Sequence, residues 1–430
     1  MKNRYLLMGF LGLASITLAR SQPAHEPIQR CATADRDALL YAANPGLLQR
    51  RLEGERALER YLKGSSTRSF RKAATELITI PVVVHVVYNS QDVGNNPGSG
   101  AADDGNLLDS QIQEQIAVLN EDYGNLSGIQ TYYSDSLGVD TQIRFKLVEI
   151  RRTYSEKADF DPRRDGPVLA AISPARPTNQ FLNIWVCKLS LGYLGGSQFP
   201  VVTEATGNTQ GLDLADDTDN PDIDGVMVDY RYFGRSGPTI NSQLYNLGRT
   251  ATHEVGHWLG LIHIWGDTSC GTDYCDDTPQ AQTFNQLKVP NCQPVFSTCQ
   301  RITTRNMTDN YMDYSPDRCM GLFTADQAAR MHAVLALSPR RAQMVAFANR
   351  SDEHLSVTIA PNPVTEYLNA AIYAPNYSDF TVNIYSNNGK LLLQNLRNQS
   401  RISLKNFASG VYLMKVSTNT ETVTKRFLIP

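Results

Sequence analysis

The run HEVGHWLGLIH at residues 253–263 places three histidines and a glutamate at spacings that can do chemistry. His253 and His257 stand four apart, so on an α-helix both imidazoles leave from one face and can share a single Zn²⁺, with Glu254 beside them as a general base. Gly260 has no Cβ to clash at positive φ, so the chain can leave the helix there and bring His263 back as a third ligand. Three neutral imidazoles leave the metal's charge largely uncompensated and one position open, so a bound water falls to a pKa of about 7 and becomes a nucleophile. Glu254 would take that proton and hand it to a leaving amine. Two histidines at helical spacing can equally be satisfied core residues, but the added Gly260 and His263 argue for the metal. They also disfavour a two-histidine peptidase with a distant glutamate ligand.

A second run, NYMDYSPDRC at 310–319, follows downstream. HExxHxxGxxH with a methionine turn resembles the metzincin clan of zinc peptidases, and the wording of both runs is similar to its pappalysin family. The resemblance implies that Met312 floors the zinc site without ligating and that Tyr314 joins the zinc in stabilising the oxyanion. It places Asp317 at the base of the pocket for the residue just after the scissile bond. A buried carboxylate there favours a bidentate guanidinium, so peptides would be cut on the amino side of Arg or Lys. The alternative is that Asp317 solvates the turn or pairs with Arg318. Two interleaved disulfides are likewise implied, Cys270 with Cys299 and Cys292 with Cys319, leaving Cys187 and Cys275 as a third pair or as free thiols. A structural Ca²⁺ is implied near DYCDDTP (273–279), where Asp276, Asp277 and Thr278 offer oxygens. The acidic loop DLADDTDNPDIDG (213–225) lacks EF-hand spacing, because no Glu stands at the twelfth position from any of its aspartates, and it reads as a solvated loop.

Strand-like runs at 78–88, 142–152, 181–188 and 225–233 alternate with a helical pattern at 110–124, a helix starting near Leu247 that carries the histidines, and a closing helix at 324–337. The expected class is α+β. A metzincin catalytic domain over 73–348 would combine a twisted mixed sheet, backing and active-site helices, and an irregular lower subdomain holding the Met-turn. His85 and His332 fall outside any ligand spacing and read as structural.

The chain of 430 residues carries a net charge of only −3, which gives no argument for nucleic acid or an anionic membrane as partner. A basic start, an apolar stretch from Tyr5 to Ala19 and small residues near Ser21 read as a signal peptide over 1–21, too short to span a membrane. Residues 22–72 read as a pro-segment, helical over Arg36 to Leu62 and ending in the basic linker GSSTRSFRK (64–72). In zymogens of the resembled family a pro-segment cysteine fills the zinc's open position, and Cys31 matches in place; a bridging or unpaired cysteine is the alternative. Cleavage before Arg68, Arg71 or Lys72 would then make activation self-driven. Residues 355–430 read as a small all-β sandwich, and its PNP opening, GVYLMKV strand and KRFLIP ending resemble the C-terminal sorting domain of type IX secretion. An adhesive or carbohydrate-binding sandwich is the other reading of that fold. These observations converge on a secreted or surface-attached bacterial zinc endopeptidase made as a zymogen. Its partners would be peptide substrates and the secretion machinery. A surface adhesion protein that retains the fold without catalysis is the rival.

Overall fold

The computed structural model describes residues 28–64, 77–89, 105–202, 221–286, 291–349, 354–359, 362–374, 379–399 and 401–430. The signal-peptide reading, the linker at 65–72 and residues 213–220 of the acidic loop lie outside the described residues.

The stretch read as a helical pro-segment forms two helices rather than one, α1 (Thr33–Ala43) and α2 (Pro45–Gly64). Pro45 is the cause: it lacks the N–H that a continuing helix would need, and its fixed φ suits the first position of a new one. The central sheet has order β2-β1-β3-β5-β4, from β1 (Ile78–Tyr88), β2 (Ile143–Tyr154), β3 (Leu182–Cys187), β4 (Gly195–Ser197) and β5 (Gly225–Asp229). Only β4 runs antiparallel to its neighbour. β1 is buried on both faces, which explains why ITIPVVVHVVY is apolar almost throughout instead of alternating. α3 (Asp109–Tyr123) and α4 (Arg249–Trp258) cover one face, with Ile112, Ile116, Ala251 and Val255 sharing a core with Val82, Val84 and Val86.

The strand expected over 225–233 stops at Asp229, whose carboxylate accepts from the Arg231 N–H and turns the chain into a 3₁₀ turn at Tyr230–Tyr232. Asp224, in the stretch read as a solvated loop, is buried. It accepts from Arg341 at 2.6 and 2.8 Å and from the Trp258 indole at 3.0 Å, and pairs with Arg340 at 2.7 Å. It ties the end of the histidine helix to the C-terminal helices. A hairpin, β6 (Phe296–Cys299) and β7 (Ile302–Arg305), precedes α5 (Ala325–Leu337), which starts with a Thr324/Gln327 capping box, and α6 (Pro339–Ala348). His85 holds Ser173 and Asn183, and His332 holds the Thr141 carbonyl. Both are structural.

Beyond 354, seven strands, β8 (Ser356–Ile359), β9 (Tyr367–Tyr373), β10 (Thr381–Ser386), β11 (Leu391–Arg397), β12 (Arg401–Ser403), β13 (Gly410–Ser417) and β14 (Thr422–Ile429), form sheets β11-β10-β13-β14 and β12-β9-β8. Leu368, Ile372, Val382, Ile384, Met414 and Val416 fill the space between them. The sandwich touches the larger body through Arg176 and Asp379 at 2.8 Å and through the Gln180 amide on the Ile372 carbonyl at 2.9 Å. No helix among the described residues is long and apolar enough to cross a membrane.

Candidate active site

α4 presents His253 and His257 on one face, and Gly260, at φ +87°, turns the chain so that His263 returns to them. The three Nε2 atoms lie 3.0 to 3.2 Å apart. Each Nδ1 is directed outward: His253 to the Tyr311 carbonyl at 2.7 Å, His257 to the Leu261 carbonyl at 2.8 Å, and His263 to the Asp267 carboxylate. A carbonyl can only accept, so the His253 and His257 protons sit on Nδ1 and their Nε2 lone pairs converge. Burial lowers both pKa values, His257 to about 3, so neither ring carries a charge that could be shared. Converging lone pairs call for a cation, and a tetrahedral Zn²⁺ with Zn–N near 2.0–2.1 Å separates its nitrogens by about 3.3 Å. The donor set therefore fits zinc.

The surroundings fix these ligands. Gly256 is required because a Cβ there would meet the Met312 sulfur at 2.5 Å; Met312, fully buried, lies directly against the helix. Asp122 receives Thr252 at 2.7 Å, Tyr311 at 2.9 Å and Arg249 at 3.3 Å, pinning the helix to α3 and to the turn. Trp265 stacks on His263 at 4.3 Å between centroids, and Tyr314 stands edge-on to His263 at 5.0 Å. Burial pushes the Tyr314 hydroxyl well above its ordinary range, helped by Cys31 and Glu254, which keeps it a donor.

Glu254 is fully buried and its pKa is raised to about 8 by desolvation. Gly195 makes room for it, since a Cβ there would meet the Glu254 Cγ at 2.7 Å. Oε2 accepts from Thr33 Oγ1 at 3.0 Å and from Cys31 Sγ at 3.5 Å, while Oε1 has no protein partner. The Cys31 sulfur and the three imidazole nitrogens all lie within 4.8 Å of one another. Burial, then Glu254, push the Cys31 thiol well up. Hydrogen bonds from Thr33, among them its N–H at 3.3 Å, favour the thiolate but do not offset burial and Glu254; a dication at the imidazoles would.

Residues 29–32 lie along the chain entering β4 in its own direction, with Gln29 bridging Tyr193 in parallel and the Ala32 N–H on the Gly195 carbonyl at 2.9 Å, and from α1 the Arg36 guanidinium reaches the Ser197 carbonyl at 3.0 Å. Arg30, with no exposed side-chain surface, pairs with Asp317 at 2.9 Å under the Tyr245 ring. The other Asp317 oxygen accepts from the Leu247 and Arg249 N–H groups at 2.9 and 3.3 Å. Asp317 thus pairs with Arg30, and Arg318 is exposed.

Cys270–Cys299 and Cys292–Cys319 are bonded. Cys187 and Cys275 are free and do not bridge, because Cys187 packs with Ala32, Trp185 and Leu189 under the sheet while Cys275 lies in the loop beside Asp273. The expected calcium ligands are not gathered. Asp277 accepts from Thr324 Oγ1 at 2.6 Å and the Asp326 N–H at 2.9 Å and so serves the start of α5, while Thr278 donates to Asp273 at 2.7 Å and closes its own loop. The Asp276 N–H donates to Asp326 at 3.0 Å. Among the described residues the metal-ligand cluster is the one at the histidines. Sequence reasoning passed over Arg30, Thr33, Trp265 and Asp267. Only Asp267, four residues past His263, had a readable signal.

Residues 222–336 match the family model described as pregnancy-associated plasma protein-A, and residues 358–430 match that of the secretion system C-terminal sorting domain. An extracellular metalloprotease of Colletotrichum graminicola is 30% identical over 267 residues, spanning 61% of this chain and 78% of that one. A variant of Tannerella forsythia promirolysin superposes with a TM-score of 0.58 at 32% identity, covering 75% of this chain and 98% of that one. Mature mirolysin of the same organism, in complex with a cleaved peptide, gives 0.52 at 35% identity over 64% and 98%. With these relatives and its sorting domain the protein is secreted or displayed at the cell surface. The chain belongs to the pregnancy-associated plasma protein-A, or pappalysin, family of metzincins and is a zinc metalloendopeptidase with a type IX sorting tail.

Proposed function

We propose that the chain is the latent form of an endopeptidase that cuts on the amino side of Arg or Lys, with zinc on His253, His257 and His263. Held by these imidazoles, the metal would supply the Lewis acidity that makes a water nucleophilic and a scissile carbonyl electrophilic. Glu254, freed of Thr33 and Cys31 when the pro-segment leaves, would take the proton and return it to the leaving amine. Tyr314, held over the ligand rings, donates to the carbonyl oxygen as it gains charge. Asp317 at the base of its pocket receives the guanidinium or ammonium of the next residue.

The observation that carries this reading is the pairing of Arg30 with Asp317 one residue from Cys31. In the latent chain a basic side chain already occupies the pocket, and the neighbouring thiol stands at the fourth position of the metal site. Thr33 holds Glu254 two residues further on. The pro-segment thereby engages metal site, base and pocket at once. The tail, 355–430, would address the protein to the type IX machinery. Cleavage profiling of the matured protein on a mixed peptide library, with and without a zinc chelator, tests the reading. Cuts ahead of Arg and Lys that vanish with the chelator are expected; cuts without regard to the following residue would overturn it.

A further inference from the structure

Arg330 of α5 is a buried cation whose ion-pair partner departs when the pro-segment is removed. Its Nε donates to the Gly260 carbonyl at 2.7 Å, so the turn that returns His263 also holds this guanidinium in place, and its head lies 5.3 Å from the centre of the Tyr274 ring. Its outward Nη2 donates to both oxygens of Glu55 on α2, at 2.8 and 2.7 Å. Around this pair α2 packs Leu58 against Ala333, Val334, Leu337 and Val202, and Gly54 approaches so closely that a Cβ would meet the Val202 carbonyl at 3.2 Å. Arg51, which also pairs with Glu55 at 2.9 Å, lies 3.6 Å over the Phe199 ring, itself 5.9 Å from the His257 ring.

The place of this site along the cleft follows from register. Residues 29–32 run parallel to 193–195 and α1 continues past Ser197 through the Arg36 side chain, with Arg30 in the Asp317 pocket at the first end. Phe199 and Val202 follow the second end, and Arg330, linked to them through Glu55, Arg51 and the Leu58 cluster, lies toward that end. When α2 leaves, Arg51 and Glu55 leave with it. Arg330 keeps its anchor on Gly260, the collar residues Val202, Ala333, Val334 and Leu337, and the buried Asp273 within electrostatic reach, but loses the carboxylate that hydrogen-bonds it.

We propose that Arg330, with Phe199 and Val202, forms a carboxylate-accepting subsite of the mature enzyme, occupied in the latent chain by Glu55 and in catalysis by a Glu or Asp side chain of the substrate. This rests on the reading of Asp317 as the pocket for the residue after the cut; given that, the acidic residue falls on the amino side of the scissile bond. A preorganised guanidinium with an apolar surround favours the charged side chain over its amide, because the charge-assisted bond is roughly twice as strong as the neutral one.

The test uses the full chain after maturation, with peptides holding one Arg after the cut and either Glu or Gln at each position before it. At one position Glu should raise kcat/KM about tenfold over Gln, a contrast that shrinks with salt and collapses to about one in Arg330→Met. A free peptide of residues 45–64 should inhibit cleavage, about tenfold more weakly as Glu55→Gln, a measurement that leaves Arg330 intact. Equal rates for Glu and Gln at every position, a contrast that survives in Arg330→Met, or equal inhibition by the two peptides would each overturn the subsite. An acidic preference in a library that shows no Arg or Lys requirement would sink the Asp317 reading alone.

Discussion

Replacing Asp317 by Asn changes one atom and reverses the polarity of the pocket. One carboxylate oxygen holds the Arg30 guanidinium and the other holds two backbone N–H groups, of Leu247 and Arg249. An amide can keep only one of these roles. With its oxygen on the backbone N–H groups, its NH₂ faces the guanidinium, donor against donor. Both partners of the pair are essentially without exposed surface, so solvent screens little of the loss. Removing one partner of a buried pair costs about 3–5 kcal/mol, and discounting half for relaxation and water entry leaves about 2 kcal/mol, a factor of roughly 30. Asp317→Asn should therefore cut the Arg-over-Met ratio in kcat/KM, for two peptides differing only after the cut, by roughly 30-fold or more. It should also mature more slowly, and far-UV circular dichroism with bound-zinc analysis would establish that fold and metal persist. A variant that is folded, zinc-loaded and keeps the wild-type ratio within about threefold would assign selectivity elsewhere.

Glu254→Ala should keep zinc and fold while losing turnover by at least about a hundredfold in a casein assay, and full activity would refute the base assignment. Because the Glu254 pKa is raised from 4.5 to about 8, the folded chain holds a proton that the unfolded chain releases, so the metal-stripped zymogen loses stability as pH climbs through that window. Melting temperatures should show this fall in wild type and a flatter profile in Glu254→Gln. Cys31→Ala should mature faster than wild type by band-shift time course, and equal rates would count against the thiol as latch. Asp267→Ala should weaken zinc about 10–100-fold in competition with a chromophoric chelator, since it alone among the Nδ1 partners is a removable side chain. Deleting 355–430 should leave specific activity intact and abolish export; lost catalysis with normal export would make the sandwich a substrate-binding module.

The histidine site was legible because one helix turn and one glycine encode it locally: spacing placed His253 and His257, and Gly260 explained His263. The sheet was legible where burial writes itself into composition, as in ITIPVVVHVVY. What stayed hidden came from contacts that no local pattern records. Arg30 meets Asp317 across 287 residues, and Glu55 meets Arg330 across 275. A basic or acidic residue on a polar-looking helix carries no sign of the partner waiting for it. Asp224 was misjudged for the same reason, since six aspartates in a short loop read as solvated until two arginines from the far end of the domain arrive. The break between α1 and α2 is written in Asn44-Pro45-Gly46, inside an uncharged stretch from Ala38 to Gln49 whose leucines and alanines suit a helix on either side.

The pro-segment that follows β4 is, before any cut, part of the same molecule as the cleft it fills, so its local concentration there is set by tether length and not by how much protein is present. Once the chain is severed anywhere between α2 and β1, the same contacts become those of a separate ligand, and occupancy falls with dilution. Cleavage inside a crowded compartment would then leave the enzyme largely silent. Passage to the outside, where the fragment diffuses away, would complete what proteolysis began.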